Sequence, residues 1–335
     1  MCCFAVTMDE TYADFVLNAT AAMEQRSRGT PMERKLHFVS NVVLYKDDFA
    51  EPKLSAWKKL IRGTRVLGSR MINDHHEADG QLVNLIRTGQ GPGNVEENAA
   101  VLSNFSKLLL QEGSSMKLIV GELDGFSNPG ACDHCQLRAL QTAAFLNLYQ
   151  SRADLVKAVC YVNAFERLQQ EQQGSSWYQG QVLVLPNMTI REPPYYVIKM
   201  VSEATQRNVV RSALSSANGT APGPLLQLFA TASDDGRSVA VRILNQGCAD
   251  RTVRLRLRGV VGALRSVNGT VLRSRVPTAT GCGDGEKFAM MNEANTPARP
   301  EAVVPEPARA AVAADGSVVV ALPHWSFVTL ALHAA

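Results

Sequence analysis

The chain has 335 residues, 46% of them hydrophobic and 19% charged, with 34 Lys and Arg against 31 Asp and Glu for a net charge of +3. At about 150 residues per domain this is enough for two domains, and the composition excludes a disordered chain. The near-even charge balance gives no reason to expect nucleic acid or a membrane surface as a partner, and no run approaches the ~18 uninterrupted apolar residues of a membrane span.

Residues 12–23 read as a helix, because Phe15, Val16, Ala19 and Met23 share a face. Residues 36–44 read as a strand, and Pro52 opens a helix that runs through Trp57 and Ile61. Residues 66–72 read as a short strand ending at Asp74-His75-His76. Helical stretches follow at 82–87 and 95–111, either side of the turn-rich Gly89-Gln90-Gly91-Pro92-Gly93. Residues 117–120 form a buried strand that ends at Gly121-Glu122. An amphipathic helix at 135–149, an apolar strand at 156–162 and a closing helix at 195–204 complete four strand–helix units. That alternation is the signature of a parallel sheet.

From about residue 206 the helical period disappears. Residues 225–232, 239–244, 252–257, 271–275, 317–322 and 327–332 read as short strands between Gly, Asp, Asn and Pro, the pattern of an all-β sandwich. Arg251, Arg254, Arg256 and Arg258 interleave with Val253, Leu255 and Leu257, which reads as a half-buried strand with a basic outer face. No aromatic residues interleave for base stacking. Residues 297–307 form a proline-rich crossing between strands. The expected division is an α/β domain over 1–205 and an all-β domain over 206–335.

Glu122 is the leading catalytic candidate. It closes the apolar run Leu118-Ile119-Val120 behind Gly121, and catalytic groups collect at the carboxyl ends of parallel strands. Read blandly, it is a loop acid or a helix cap. Asp74 and His76 alternate on their strand end and so can line one cleft. No metal is expected there, because no second pair of ligands completes a site. Cys132-Asp133-His134-Cys135 resembles half a zinc knuckle without its other half and reads as a local loop disulfide or two free thiols. The seven cysteines are scattered and too few for a disulfide scaffold.

Five Asn-x-Ser/Thr triplets, at Asn18, Asn104, Asn187, Asn218 and Asn268, lean toward a secretory route. Residues 1–8 carry no basic residue and do not read as a signal peptide. Either the triplets are idle or the natural amino terminus lies upstream. In the second case the location is extracellular or the lumen of a lysosome or vacuole. Asn218 and Asn268, both Asn-Gly-Thr in turn-rich segments, are then the acceptors expected to carry glycans.

Val120-Gly121-Glu122-Leu123-Asp124-Gly125-Phe126-Ser127-Asn128 is similar to the nucleophile segment of the glycoside hydrolase family 51 α-L-arabinofuranosidases. In that family a strand ends in Gly-Glu-Tyr and is soon followed by Ser-Asn and an alanine-rich helix. Here the helix carries Ala143-Ala144-Phe145. The segment from Asp154 to Tyr161 is similar to the family's eighth strand, and Pro194-Tyr195-Tyr196-Val197-Ile198-Lys199-Met200-Val201-Ser202 to its Tyr-Tyr-Val-Gln-Lys-Leu-Phe-Ser helix. Asn292-Glu293-Ala294-Asn295 through Pro300-Glu301-Ala302-Val303-Val304-Pro305 resembles the family's Asn-Pro-x-x-Val-Val-Pro crossing, and Pro323-His324-Trp325-Ser326 its last strand. The motifs occur in the family's order from about Tyr12 to the end.

The resemblance implies the carboxyl-terminal half of a (β/α)8 TIM-type barrel followed by a β-sandwich, in a retaining glycosidase acting on terminal arabinofuranosyl groups of polysaccharides or glycoconjugates. Glu122 becomes the nucleophile. His76 falls where the family has a substrate-side His, with Asp74 and Asn187 lining the same cleft. No cofactor or metal is implied, because two carboxylates suffice. Two departures stand out. Glu77 and Ala78 occupy the place of an aromatic pair, and no Asn-Glu precedes Glu122 to serve as acid/base, leaving Glu10 as a distant candidate. With four strand–helix units where a barrel needs eight, the chain reads as part of a longer enzyme, and its open parallel edge leads to an expectation of self-association. The rivals are a carbohydrate-binding descendant without turnover and an unrelated α/β protein with an appended interaction module.

Overall fold

A computed structural model describes residues 10–31, 39–41, 49–67, 71–77, 93–124, 134–161, 164–167, 180–216, 225–260, 262–275 and 293–334. The chain divides into two compact units that interleave along the sequence. Residues 1–77, 94–124 and 152–161 form the first, and 78–93, 125–151 and 162–335 form the second.

The first unit holds helices α1 (Glu10–Ser27), α2 (Lys53–Leu67) and α3 (Gly93–Gln111) and strands β1 (Val39–Asn41), β2 (Met71–Glu77), β3 (Lys117–Asp124) and β4 (Val156–Tyr161). The strands form one sheet in the order β1-β2-β3-β4, parallel throughout. Helical spacing explains the cover. Trp57, Leu60 and Ile61 of α2 and Val101, Leu102, Phe105, Leu108 and Leu109 of α3 are all buried. The Trp57 and Phe105 rings meet edge to face at 5.3 Å, which adds to their area burial. α1 approaches α2 closely at Gly63, where a Cβ would lie 2.4 Å from Cδ2 of Leu17. The bidentate pair from Arg62 to Glu112, at 2.5 and 3.0 Å, ties α2 to the turn after α3.

The strand expected at 66–72 begins later. α2 runs on through Leu67, which continues the spacing set by Trp57, Leu60 and Ile61, and β2 takes in Asp74, His75 and His76. β4 is an edge of this sheet and is less buried than an apolar strand should be: Val156 is covered, but Lys157, Ala158 and Cys160 are exposed. The helical stretch at 82–87, residues 89–92 of the glycine-rich turn and Asn218 lie outside the described residues, and Gly93 opens α3.

The second unit begins with α4 (Gln136–Ser151), followed by β5 (Phe165–Arg167), β6 (Val182–Val184), β7 (Thr189–Arg191) and α5 (Pro193–Glu203). β5, β6 and β7 form a small sheet. Pro193 and Pro194 start α5, where their missing N–H groups cost nothing. Beyond α5 come β8 (Asn208–Val210), β9 (Leu226–Ala232), β10 (Ser238–Asn245), β11 (Arg251–Leu255), β12 (Leu264–Arg273), β13 (Glu306–Pro307), β14 (Ala310–Val312), β15 (Val318–Leu322) and β16 (Ser326–Ala334). They form a six-stranded antiparallel sheet, β13-β12-β16-β10-β9-β8, and a three-stranded one, β11-β15-β14.

One apolar core joins these two sheets. Val239, Val241 and Ile243 of β10 and Val328, Leu330 and Leu332 of β16 cluster with Val253 and Leu255 of β11 and Val318, Val320 and Leu322 of β15. The alternate residues of β10, Ala240, Arg242 and Leu244, are buried as well, because α4 and α5 pack on the six-stranded sheet. Arg242 lies 4.2 Å over the Phe229 ring and donates to Gln150 of α4. Burial lowers its pKa to about 9, so it remains a cation at neutral pH. On β11 the expected alternation holds from Thr252 on, with Val253 and Leu255 buried and Thr252 and Arg254 exposed, while Arg251 is exposed at the strand's start.

Two sequence expectations need correction. α4 is not amphipathic: Gln136, Arg138, Gln141, Thr142 and Asn147 are buried along with its apolar residues. β12 starts at Leu264, well before residue 271, so Asn268-Gly269 is strand rather than turn. Gly269 serves a close approach, since a Cβ there would lie 2.5 Å from Cδ2 of Leu330 and 3.0 Å from the Thr329 carbonyl.

The crossing before β13 is pinned by two buried side chains. The Asn295 amide donates to the carbonyls of Arg191 at 2.7 Å and Val303 at 3.0 Å, while its oxygen accepts from the Val303 N–H at 2.7 Å. The Glu293 carboxylate accepts from the Ser274 hydroxyl at 2.6 Å and the Arg275 N–H at 2.9 Å. Its backbone carbonyl accepts the Gln136 N–H at 2.9 Å, satisfying a donor at the start of α4. Asn295→Ala should therefore lower stability by about 1–3 kcal/mol, because buried backbone groups lose their partners. A denaturant midpoint shift at unchanged slope checks this, and an unshifted midpoint refutes it.

Candidate active site

The parallel pairing of β2 with β3 brings the leading candidates to adjacent strand ends. Asp74 lies opposite Val120, His75 opposite Glu122, His76 opposite Leu123 and Glu77 opposite Asp124. The register slips by one residue between Asp74 and His75. It slips again on the other side of β3, where Val120 pairs with Val159 and Leu123 with Tyr161. β3 therefore carries a bulge at Gly121-Glu122 relative to both neighbours. Glycine suits a bulge, and bulges beside active sites re-aim a side chain at the end of a strand. The strand also runs past Glu122 to Asp124, two residues further than the apolar run suggests.

His75 is thus the β2 residue at Glu122's register position, where an unbroken register from Asp74 would place His76. The signal that was available is Gly121, since an isolated glycine in a strand pattern marks a bulge. Glu10 opens α1 and is exposed, so it belongs to a helical first turn, where a carboxylate suits the helix dipole. Asn187 belongs to the second unit. It is exposed in the turn between β6 and β7, closed by the Leu185 N–H bonding the Met188 carbonyl at 2.9 Å.

In the half-knuckle, Cys135 is a buried thiol outside any disulfide, which agrees with the second of the two readings for it, and Cys132 lies outside the described residues. The neighbour of Cys135, His134, is half-buried, with both ring nitrogens shielded from solvent. Burial pushes the imidazole pKa down to about 4; the Arg138 charge adds to this, and a hydrogen bond with the Gly180 backbone works against it. Gly180 in turn donates its N–H to the Glu166 carboxylate at 2.8 Å. No side chain fits at Gly180, because a Cβ would lie 2.4 Å from that of Glu166. Among the described residues, no three His, Cys, Asp or Glu side chains gather into a metal-binding group. At the start of α5, the Arg191 guanidinium lies 5.7 Å over the Tyr195 ring, and burial raises the pKa of Tyr196.

Residues 134–326 match the alpha-L-arabinofuranosidase C-terminal domain family, and the chain belongs to that family. The matched span begins after Glu122. Among solved structures, the chain is similar to the family 51 arabinofuranosidase from Xanthomonas axonopodis pv. citri, at 17% identity and a TM-score of 0.69, over 96% of this chain and 63% of that one. A family 51 α-L-arabinofuranosidase from Bifidobacterium longum shares 14% identity at a TM-score of 0.68, over 97% of this chain and 63% of that one. The α-L-arabinofuranosidase from Thermotoga maritima, solved as an arabinose complex, shares 12% identity at a TM-score of 0.66, over 97% and 62%. The chain thus spans about 63% of the length of the first of these structures. Likeness at such identities establishes the fold. No curated protein matches the chain.

His134 generates a pH prediction. The unfolded chain protonates its imidazole near the ordinary 6.5, and the folded chain only near about 4. Between those values the unfolded state binds more protons, so stability falls as pH drops, by up to about 3 kcal/mol. In His134→Gln the stability curve between these pH values should be correspondingly flatter. An unchanged slope in that variant would show that His134 is not the group responsible.

Proposed function

We propose that this chain supplies the nucleophile-bearing part of a retaining α-L-arabinofuranosidase, with Glu122 as the nucleophile. The parallel sheet is read as part of a (β/α)8 barrel and the two antiparallel sheets as a β-sandwich. The observation that carries the reading is the position of Glu122, at a bulge on the carboxyl end of a parallel strand in a chain of the arabinofuranosidase family. Substrates are terminal arabinofuranosyl groups on polysaccharides or glycoconjugates.

In this mechanism the Glu122 carboxylate attacks the anomeric carbon while a second carboxylic acid protonates the departing oxygen. A covalent glycosyl ester forms. Water, activated by the second carboxyl group in its basic form, then hydrolyses that ester. The two carboxyl groups must stand roughly 5–5.5 Å apart. Asp74, His75 and His76, at the end of the neighbouring strand, are proposed to contact the sugar or orient the nucleophile. A second reading is a carbohydrate-binding descendant without turnover. It is favoured by Glu77 and Ala78, which stand where the family carries an aromatic pair.

The proposed compartment is the secretory pathway or a lysosomal or vacuolar lumen. Cys248 is disulfide-bonded, a state that persists in oxidising compartments, and the five glycosylation triplets agree with it.

The test is hydrolysis of an aryl α-L-arabinofuranoside by the full protein that carries these residues. Glu122→Gln should lower turnover by about 10⁴-fold or more, the scale on which loss of an essential catalytic group is felt. Its denaturant midpoint should stay close to wild type. Wild-type turnover in this variant would remove Glu122 from the mechanism. Retained sugar binding with no turnover in the parent protein would favour the second reading.

A further inference from the structure

Five acceptor triplets are present, and the fold does not treat them alike. In Asn18-Ala19-Thr20 the asparagine is exposed on α1, but Thr20 is only 2% exposed. In Asn104-Phe105-Ser106, Phe105 is buried in the middle of α3. Residues two apart on a helix do not face each other, so in neither triplet can the hydroxyl reach across to its asparagine. Asn268 is exposed but lies inside β12, paired with Ala331 of β16 and next to the tightly packed Gly269, and Thr270 is half-buried.

Asn187 differs in its setting and in its hydroxyl residue. It sits at the tip of the hairpin formed by β6 and β7, beside Pro186, whose ring presets a turn. Asn187 is exposed, and so is Thr189, the hydroxyl residue of its triplet. Surface turns of this kind are the setting in which an Asn-x-Thr acceptor remains accessible in a folded chain.

We infer that Asn187 is an N-glycan acceptor, because its triplet alone among those described places both asparagine and hydroxyl residue on an exposed hairpin turn. The donor is a polyprenyl-pyrophosphate-linked oligosaccharide. A bond forms from the anomeric carbon to Nδ2 of Asn187, and the bond from that carbon to the pyrophosphate oxygen breaks. The pyrophosphate leaves with the electron pair, and the amide gives up one proton to a base. This assignment rests on the secretory reading above. It replaces the sugar-contact role that resemblance suggested for Asn187, since a residue bearing a glycan does not also grip a substrate.

The experiment is cell-free translation of the full chain behind a cleavable secretory leader, in the presence of eukaryotic microsomes. Only protease-protected chains are scored, so the result does not depend on the natural location. Glycopeptide mass spectrometry after enzymatic deglycosylation should show Asn187 converted to Asp. Asn187→Gln and Thr189→Ala should each lose the same single glycan step in gel mobility. A bare Asn187 in protected chains overturns the proposal, whether or not another acceptor is occupied. So does a mobility step that survives both substitutions while the wild-type peptide is unmodified. If Asn187 is occupied here yet bare in protein from its natural source, the acceptor assignment stands and the secretory reading fails.

Discussion

A sheet that is covered on both faces has no solvent side on which to place polar residues, and the second unit is organised around that constraint. β10 and β16 lie near the middle of the six-stranded sheet. One face contributes Val241, Ile243, Val328 and Leu330 to the apolar core, and the other receives α4 and α5. Every polar group admitted to the second face then needs a partner inside. Arg242 lies over the Phe229 ring and donates to Gln150, while its Nη1 is buried without a hydrogen-bond partner among the described residues. Gln136 donates to the Trp325 carbonyl at 3.1 Å, and Thr142 to that of Arg138 at 2.9 Å. Buried polar links of this sort contribute modest net stability when made and cost more when broken, so they favour one arrangement of helix against sheet.

That constraint also explains which parts of the fold were legible in the sequence. Strands with one wet face, such as β11, alternate over most of their length and are readable. Helices α2, α3 and α5 carry their apolar residues at helical spacing. α4 misleads, because its polar residues suggest a solvent face that the packing does not provide. The three-residue strands β5, β6, β7 and β8 are too short for any period to register, and they exist through tertiary pairing. At Asn268-Gly269 a local turn signal loses to Leu330, whose side chain occupies the space a larger residue would need.

At the candidate site, composition and position carried the choice of Glu122, and register carried what they could not. A carboxylate after an apolar run is visible in one dimension. The identity of its neighbour on the next strand is not, because it depends on where pairing slips. The bulge at Gly121 shifts that pairing by one residue and exchanges His76 for His75 opposite Glu122. A single inserted residue changes every cross-strand partner beyond it, which is why alternation counted from the strand alone was insufficient.

Glu293 shows how buried carboxylates in one family fold divide by their surroundings. It follows Asn292, the dipeptide that would mark an acid/base in the arabinofuranosidases, and it is almost fully buried. Yet Ser274 and the Arg275 N–H both donate to one of its oxygens, and Arg299 stands 3.6 Å from the other. A carboxylate this buried and engaged by those donors is closed off from a leaving group. Its carbonyl meanwhile supports the start of α4. Glu293 therefore serves the frame. A catalytic acid has to be sought where a carboxyl group is kept protonated near the operating pH and faces a strand end, as the proposed partner of Glu122 must.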